Sequence, residues 1–312
     1  MSQAAEDAAT QPALVVGGPT ASGKSGLALS IARKLGGAIV NGDAFQLYAG
    51  LPVLTAQPTA PQKAAVPHHL FGETPLNLCV DAASYARLAQ ERIRICWKQG
   101  CPPILVGGSG LYLRSVIRGL SSGLPAPDTA LRARLEALPL PELCAELASL
   151  DPESAKNLDF KNPRRVIRAL EVCLLTGRAF SSFRVPQQPV AVPSGIWLTL
   201  PRENLHARIA ERASRLFAEG VEAEVQAALP LLGTTSRQVI GLQQVASVLS
   251  GEMSEHEAKV KIIESTRQYA RRQETWFRKE SALIPTPPES AEETGLQLAA
   301  LRIRAVSAGN GT

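Results

Sequence analysis

The chain has 312 residues and a mass of 33.2 kDa; 45% of the residues are hydrophobic, 20% are charged, and the mean hydropathy is +0.01. That is enough apolar material for a real core in one large domain or two modest ones, which excludes a disordered or collagen-like chain. Thirty-three Lys and Arg against 28 Asp and Glu leave a net charge of +5, compatible with a nucleic-acid or phosphate partner without requiring one.

Met1 to Pro12 is polar and slightly acidic, without the basic and apolar regions of a secretory leader, and no apolar run approaches the roughly 20 residues of a membrane helix. A cytoplasmic protein is expected. Ala13-Leu14-Val15-Val16 reads as a buried strand ending in Gly17-Gly18. Ser25 to Leu35 carries Leu27, Ala28, Ile31 and Leu35 at helical spacing and stops at Gly36-Gly37. Ala38-Ile39-Val40 is a second strand, and the Pro-, Ala- and Thr-rich stretch from Gly50 to Pro67 reads as a long loop. Ala82 to Gln99 is helical, and Pro103-Ile104-Leu105-Val106 is a third strand running into Gly107-Gly108. Strands alternating with helix-sized segments predict a parallel sheet with helices on its faces.

From about Gly119 to Val192 the pattern becomes helical and basic, interrupted by Pro125, Pro127, Pro139 and Pro141. Residues 190–200, with Ile196-Trp197-Leu198, predict a strand returning to the sheet. Arg202 to Gly220 and Glu255 to Arg278 predict long amphipathic helices. The expected plan is an α/β core of residues 13–118 and 193–284, a helical insertion over 119–192, and a frayed tail over 285–312. Cys79, Cys96, Cys101, Cys144 and Cys173 are odd in number and contain no C-x-x-C pair, so reduced, mostly buried thiols are expected rather than zinc or disulfides. His68 and His69 read as loop-fixing residues.

The strongest motif is Gly18-Pro19-Thr20-Ala21-Ser22-Gly23-Lys24-Ser25, which fits G-x-x-x-x-G-K-S/T between a strand and a helix. Its glycines let successive backbone amides face one anion, Lys24 adds a point charge, and the Ser25 hydroxyl can ligate Mg²⁺. A polyphosphate is therefore expected. The later strand at Ile104-Leu105-Val106 carries no acid for a metal, and the nearest candidate is Asp43, as a metal ligand through water or as a general base. On these residues alone an ATP-dependent small-molecule kinase and another kind of transferase both stay open. Two basic clusters, Lys161, Arg164, Arg165, Arg168 and Arg178, then Arg267, Arg271, Arg272, Arg278 and Lys279, suit phosphate contacts on a nucleic acid. With aromatics at 4%, a platform stacking many bases is not expected. A non-catalytic RNA binder with a vestigial loop is a further alternative, countered by the intact Lys24 and Ser25.

The phosphate loop, Asp43 with Gln46 and Tyr48, Pro67-His68-His69-Leu70, Val106-Gly-Gly-Ser-Gly-Leu-Tyr112, Arg164-Arg-Val-Ile-Arg-Ala-Leu-Glu-Val172 and Thr266-Arg-Gln-Tyr-Ala-Arg-Arg-Gln-Glu-Thr-Trp-Phe-Arg278 together resemble the tRNA dimethylallyltransferase family. These blocks stand in family order over roughly residues 13 to 280. The resemblance implies a phosphate-loop-type parallel sheet core with a helical RNA-clasping insertion, working with Mg²⁺; no extended apolar seam calls for a dimer, so a monomer is expected. It implies transfer of a dimethylallyl group from dimethylallyl diphosphate to N6 of the adenosine 3′ of the anticodon, with diphosphate held by Gly18 to Ser25 and by Arg212. It makes Asp43 the base, with Ser109 able to bond the acceptor base. It places RNA contacts at Asp43, Ala44, Phe45, Gln46, Ser109, Arg132, Arg164, Arg165, Val166, Ile167, Arg168, Arg271, Arg272, Gln273 and Arg278. The sequence departs from the family pattern at Ala44, Gln57, Gly72, Ser109, Leu242 and Gln243, which bears on RNA affinity rather than on the chemistry.

Overall fold

The computed structural model describes residues 10–120, 124–183 and 193–309. They fall into two compact units, one formed by residues up to 119 together with those from 189 on, the other by residues 120–188.

The first unit is built on a six-stranded, wholly parallel sheet: β1 (Leu14–Gly17), β2 (Ala38–Asn41), β3 (His68–His69), β4 (Pro103–Gly107), β5 (Gly195–Leu198) and β6 (Leu283–Thr286). The order across the sheet is β3-β2-β4-β1-β5-β6. Every residue of β1, β2, β4 and β5 is buried, the continuous apolar reading expected of strands covered on both faces. The expected strands at 13–16, 38–40, 103–106 and 196–198 are in this sheet. The short β3 and the edge strand β6 went unpredicted, and residues 190–192 of the predicted returning strand lie outside the described residues.

Helix α1 (Lys24–Leu35) opens straight from the phosphate loop and ends at Gly36, whose left-handed φ of 61° only glycine adopts without strain. The segment expected as a loop over 50–67 instead holds two short helices, α2 (Pro52–Thr55) and α3 (Ala60–Ala65), each with a proline among its first two residues, where the missing amide proton costs nothing. Their four to six residues are too few to show helical periodicity. After α4 (Ala82–Lys98) and α5 (Gly110–Ile117), the second half of the unit continues through α10 (Arg202–Arg215), α11 (Val221–Ala228), α12 (Leu242–Leu249) and the 23-residue α13 (Glu255–Phe277). The tail expected to fray is in fact α14 (Pro288–Gly309), with Ala291, Ala299 and Val306 buried. Much of its inward face is alanine and glycine, beside Val306 and the partly buried Leu296 and Leu298: a Cβ on Gly295 would meet Ile31 at 2.8 Å. Small residues of this kind carry little hydrophobic signal in the sequence.

The second unit is helical: α6 (Thr129–Glu136), α7 (Leu140–Leu150), α8 (Pro152–Asn157) and α9 (Pro163–Thr176) close on a core that includes Leu135, Leu143, Leu147, Val166 and Leu170. Pro141, Pro152 and Pro163 open helices in this unit rather than break them. At its centre the buried Glu171 accepts hydrogen bonds from Arg132 Nε at 2.9 Å and Nη2 at 3.0 Å, from the Asp128 amide at 2.8 Å and from Arg168.

Candidate active site

In the first unit, the carboxyl ends of β2, β4 and β1 are neighbours, so the chain leaves the sheet at three adjacent points: into Asp43, into Gly108-Ser109 and into the phosphate loop. Such an edge, where successive crossovers diverge, is where parallel α/β sheets hold their ligands. Across it runs α13. A Cβ on Gly17 would meet the Phe277 ring at 2.5 Å, one on Gly108 would meet Gln273 Nε2 at 2.2 Å, and one on Gly110 would meet Trp276 at 2.1 Å. The glycines of the β4 loop are therefore required by the passage of this helix.

The phosphate loop has the conformation its sequence demands, with φ of +94° at Gly23 and +64° at Ala21. Lys24 is buried, its Nζ donating only a long 3.4 Å bond to the Pro19 carbonyl. Burial draws its pKa down, and Arg212 does so further, against the opposing pull of Asp43. The buried Ser22 hydroxyl has no hydrogen-bond partner among the described residues. A buried ammonium and an orphaned hydroxyl in one loop are what an anion would satisfy.

Asp43 is 8% exposed. Asn41 fixes its backbone from both sides, accepting the Asp43 amide at 2.8 Å and donating to the Asp43 carbonyl at 3.0 Å and to the Leu70 carbonyl at 2.9 Å. The Phe45 amide donates to Asp43 Oδ1 at 3.2 Å. Ser109 accepts the Ala44 amide on its Oγ at 2.9 Å, so it secures the loop that carries Asp43, and its hydroxyl also bonds the Tyr269 hydroxyl. Burial raises the Tyr269 pKa well beyond that of an ordinary phenol, and the Asp43 carboxylate raises it further.

Lys24, Asp43, Phe45 and Tyr269 line a cavity of about 240 Å³. Its lining combines the polar and charged side chains of Thr20, Lys24, Ser25, Asp43 and Arg212 with the apolar ones of Leu54, Ile209, Leu216, Val239, Ile240 and Ile262. Arg212 donates through Nη2 to the Leu54 carbonyl at 2.7 Å, and burial lowers its pKa. Gln46 spends its amide on the carbonyls of Thr55 and Ala56, at 2.9 and 2.8 Å. Phe45 lies 5.8 Å from the Tyr269 ring, over which Arg272 sits at 5.7 Å.

Several expected RNA contacts are placed otherwise. Val166 and Ile167 are core residues of the second unit, and Gln273, 4% exposed, is used up inside the first, so none of these side chains is available to a ligand on the surface. Arg132 and Arg168 are engaged with Glu171. Arg164, Arg165, Arg271, Arg272 and Arg278 are exposed. Of the departures, Gln57 and Gly72 lie against one another: Gln57 donates to the Tyr48 carbonyl at 2.8 Å, and a Cβ on Gly72 would meet its Oε1 at 2.7 Å. Leu242 is buried in the apolar cluster around α11 and α12, whereas Gln243 is exposed.

The family model described as IPP transferase matches residues 46–280, more than half of the chain. The tRNA dimethylallyltransferase of Streptomyces coelicolor is 40% identical over 297 residues, covering 93% of this chain and 95% of that protein. The chain belongs to this family. The tRNA dimethylallyltransferase of Bifidobacterium longum is 41% identical over 278 residues, covering 86% of this chain and 84% of that one. Among solved structures, the tRNA isopentenylpyrophosphate transferase of Bacillus halodurans is similar with a TM-score of 0.67 and 29% identity, over 96% of this chain and 99% of that chain. A eukaryotic dimethylallyltransferase acting on tRNA, at 23% identity, shares the fold with a TM-score of 0.75 over 95% of this chain and 79% of that chain. Within the tRNA dimethylallyltransferase family the kinase alternative has no support. Sequence reasoning missed Asn41, Arg208 and Tyr269. Asn41 could have been flagged as a polar residue ending a buried apolar strand. Arg208, which donates to the Ser22 carbonyl at 3.2 Å, could have been flagged by its place one helical turn before Arg212.

Proposed function

We propose that the chain transfers a dimethylallyl group from dimethylallyl diphosphate to N6 of the adenosine 3′ of the anticodon in tRNA, releasing diphosphate. The observation that carries this reading is one cavity lined by phosphate-loop residues with Lys24 and Arg212, by a set of apolar side chains, and by Asp43. A nucleoside triphosphate would need polar partners where Leu54, Leu216, Val239 and Ile262 stand; a branched five-carbon chain needs none.

In this reading the diphosphate lies on the loop amides with Lys24 and Arg212 beside it. The allylic C–O bond breaks as the N6–C bond forms, and the electron pair leaves on diphosphate, where the two cations stabilise it. Adenine N6 is a poor nucleophile because its lone pair is delocalised into the ring. Positioning and removal of its proton are therefore the main contributions of the protein. Asp43 takes that proton on the oxygen not held by the Phe45 amide. The apolar wall keeps water from the electron-poor allylic carbon.

Mg²⁺ belongs to the same proposal. Ser25 is exposed in the first turn of α1 and lines the cavity, and no cluster of three or more His, Cys, Asp or Glu is present among the described residues. Ser25, diphosphate oxygens and water would hold the ion, a donor set that suits Mg²⁺. When bound it neutralises charge on the leaving diphosphate. Exposed Arg164 and Arg165 of the second unit and Arg271 and Arg272 of α13 supply phosphate contacts to the RNA.

The test is transfer of labelled dimethylallyl diphosphate to an unmodified anticodon stem-loop with three consecutive adenosines. Label is expected at N6, and Asp43→Asn is expected to lower kcat by about 10²–10⁴-fold while both ligands still bind. Near-wild-type turnover in that variant would remove Asp43 as the base; phosphate moving from ATP to a small acceptor, with no label in RNA, would overturn the reading.

A further inference from the structure

The short helix α2 is held at both ends by side chains. Glu224, reaching from α11, accepts the Val53 amide on Oε2 at 2.7 Å and the Leu54 amide on Oε1 at 2.8 Å. At the other end Arg212 donates to the Leu54 carbonyl, and Gln46 donates to those of Thr55 and Ala56. Leu54, Thr55 and Ala56 line the cavity, as do Arg212 and Gln46. Glu224 does not line it. Yet it is the carboxylate that fixes the turn against which Arg212 is oriented and from which Leu54 forms the apolar wall.

We propose that Glu224 is a positioning residue for the prenyl donor: by clamping the first two amide groups of α2, it sets the place of the Arg212 guanidinium and of the Leu54 side chain in the cavity lining. The proposal rests on the donor reading above. Four residues cannot hold a helical turn by themselves, because nucleation fixes several residues before any bond is repaid. The geometry of this wall therefore has to come from outside it. Glu224 is suited to that work. Burial raises its pKa, the two amides pull it back down, and a bidentate acceptor for adjacent amides fixes both the position and the tilt of the turn. One link, α2, then carries two consequences. If α2 drifts, Arg212 loses the carbonyl that orients it, which weakens the hold on diphosphate. Leu54 moves with it, which relaxes the apolar fit around the donor chain. A pocket that discriminates by apolar fit yields roughly 10–200-fold per methylene, so the second effect is measurable.

The experiment uses the full-length protein with Mg²⁺ and the anticodon stem-loop, in wild-type, Glu224→Gln and Leu54→Ala forms. Steady-state transfer is measured with dimethylallyl and geranyl diphosphates, and binding of inorganic pyrophosphate is measured by calorimetry. For Glu224→Gln the expected results are a donor KM raised about tenfold, kcat within about twofold, an unchanged RNA KM, pyrophosphate bound several-fold more weakly, and a preference for the shorter donor reduced about tenfold. Leu54→Ala is expected to shift the donor preference in the same direction with pyrophosphate binding intact. A fall in melting temperature for Glu224→Gln with donor KM, pyrophosphate affinity and donor preference all unmoved would make Glu224 structural only and overturn the proposal. Should Glu224→Gln fail to fold, an unmoved preference in Leu54→Ala would overturn it. Absence of transfer by the wild type would instead overturn the donor reading, while the pyrophosphate measurement would still decide whether Glu224 acts through Arg212.

Discussion

Gln273 joins the long helix α13 to Thr20 of the phosphate loop, its side-chain oxygen accepting the Thr20 amide at 2.8 Å while its nitrogen donates to the Gly108 carbonyl at 3.0 Å. One buried amide thus fixes the phosphate loop against the loop that carries Ser109, and Ser109 in turn holds the amide next to Asp43. The proposed base and the proposed diphosphate site share one strut.

Gln273→Leu removes that strut while filling much of its volume. It leaves the Thr20 amide and the Gly108 carbonyl without their partner, at a cost of about 1–3 kcal/mol each if no water replaces it. We expect kcat/KM for the donor to fall about 10–100-fold with a lower melting temperature. Gln273→Glu, which keeps the acceptor for Thr20 but faces the Gly108 carbonyl with a second acceptor, is expected to fall between the two. Single-turnover transfer and thermal denaturation of both variants check this ordering.

Gly107 faces the backbone of Gly42: a Cβ there would lie 2.0 Å from the Gly42 carbonyl oxygen. Gly42 directly follows β2 and accepts the Ser109 amide on that same carbonyl at 3.3 Å, so this backbone cannot step aside as a flexible side-chain end would. Gly107→Ala is expected to destabilise the protein by about 3 kcal/mol or more, an overpacking cost at the upper end of the usual range, and to displace the Asp43 loop with it. Denaturant unfolding gives the first effect. The second appears as lost transfer activity under conditions where the variant remains folded.

The sheet was legible in the sequence because its central strands are unbroken apolar runs closed by glycine pairs, and the phosphate loop because its function requires that spacing. What stayed hidden has physical reasons. His68-His69 and Leu283–Thr286 pair at the two edges of the sheet, where two to four residues suffice and no apolar run is needed. The α2 turn exists because Glu224 and Arg212 hold it from more than 150 residues away, which no local pattern encodes. Asp43 was found from its place after a strand. Asn41 and Tyr269, which stabilise the surroundings of Asp43, became visible only when the strand ends and α13 were placed together. Val166 and Ile167 illustrate the opposite error: a motif read as a block of RNA contacts alternates, on a helix, between exposed Arg164 and Arg165 and buried aliphatics.

Arg165 and Arg168 separate two roles within that block. Arg165 is exposed, whereas Arg168 bonds Glu171 and the Pro125 carbonyl, the latter at 2.8 Å. Arg165→Ala is expected to weaken stem-loop binding and reduce the slope of log K against log salt by about one, with unchanged melting temperature. Arg168→Ala is expected to lower the melting temperature, because Glu171 loses one of its two cationic partners in a buried setting. Filter binding over a salt series, paired with thermal denaturation, distinguishes them. A lower melting temperature for Arg165→Ala, or an unchanged salt slope, would show that Arg165 is not a phosphate contact.

Asp151 is expected to make the second unit sensitive to acid. Burial alone would raise its pKa, but hydrogen bonds from the Ser154 amide at 2.9 Å, the Ser181 amide at 2.7 Å and the Ser181 hydroxyl at 2.8 Å bring it down to about 2. A carboxyl depressed from 3.8 to about 2 binds fewer protons when folded than when unfolded across that interval. Its contribution is therefore complete above about pH 4 and is lost as pH falls towards 2, in total about 2 kcal/mol. Glu171 adds in the same direction: burial raises its pKa, but the hydrogen bonds from Arg132 and Arg168 outweigh this and hold it below the ordinary value. Asp151→Asn is expected to lower stability near neutral pH by about that amount and to flatten the fall between pH 4 and pH 2. Urea unfolding at pH 7, 4 and 3 followed by circular dichroism would show it, and an equal slope in the variant would mean that other carboxylates set the acid limit.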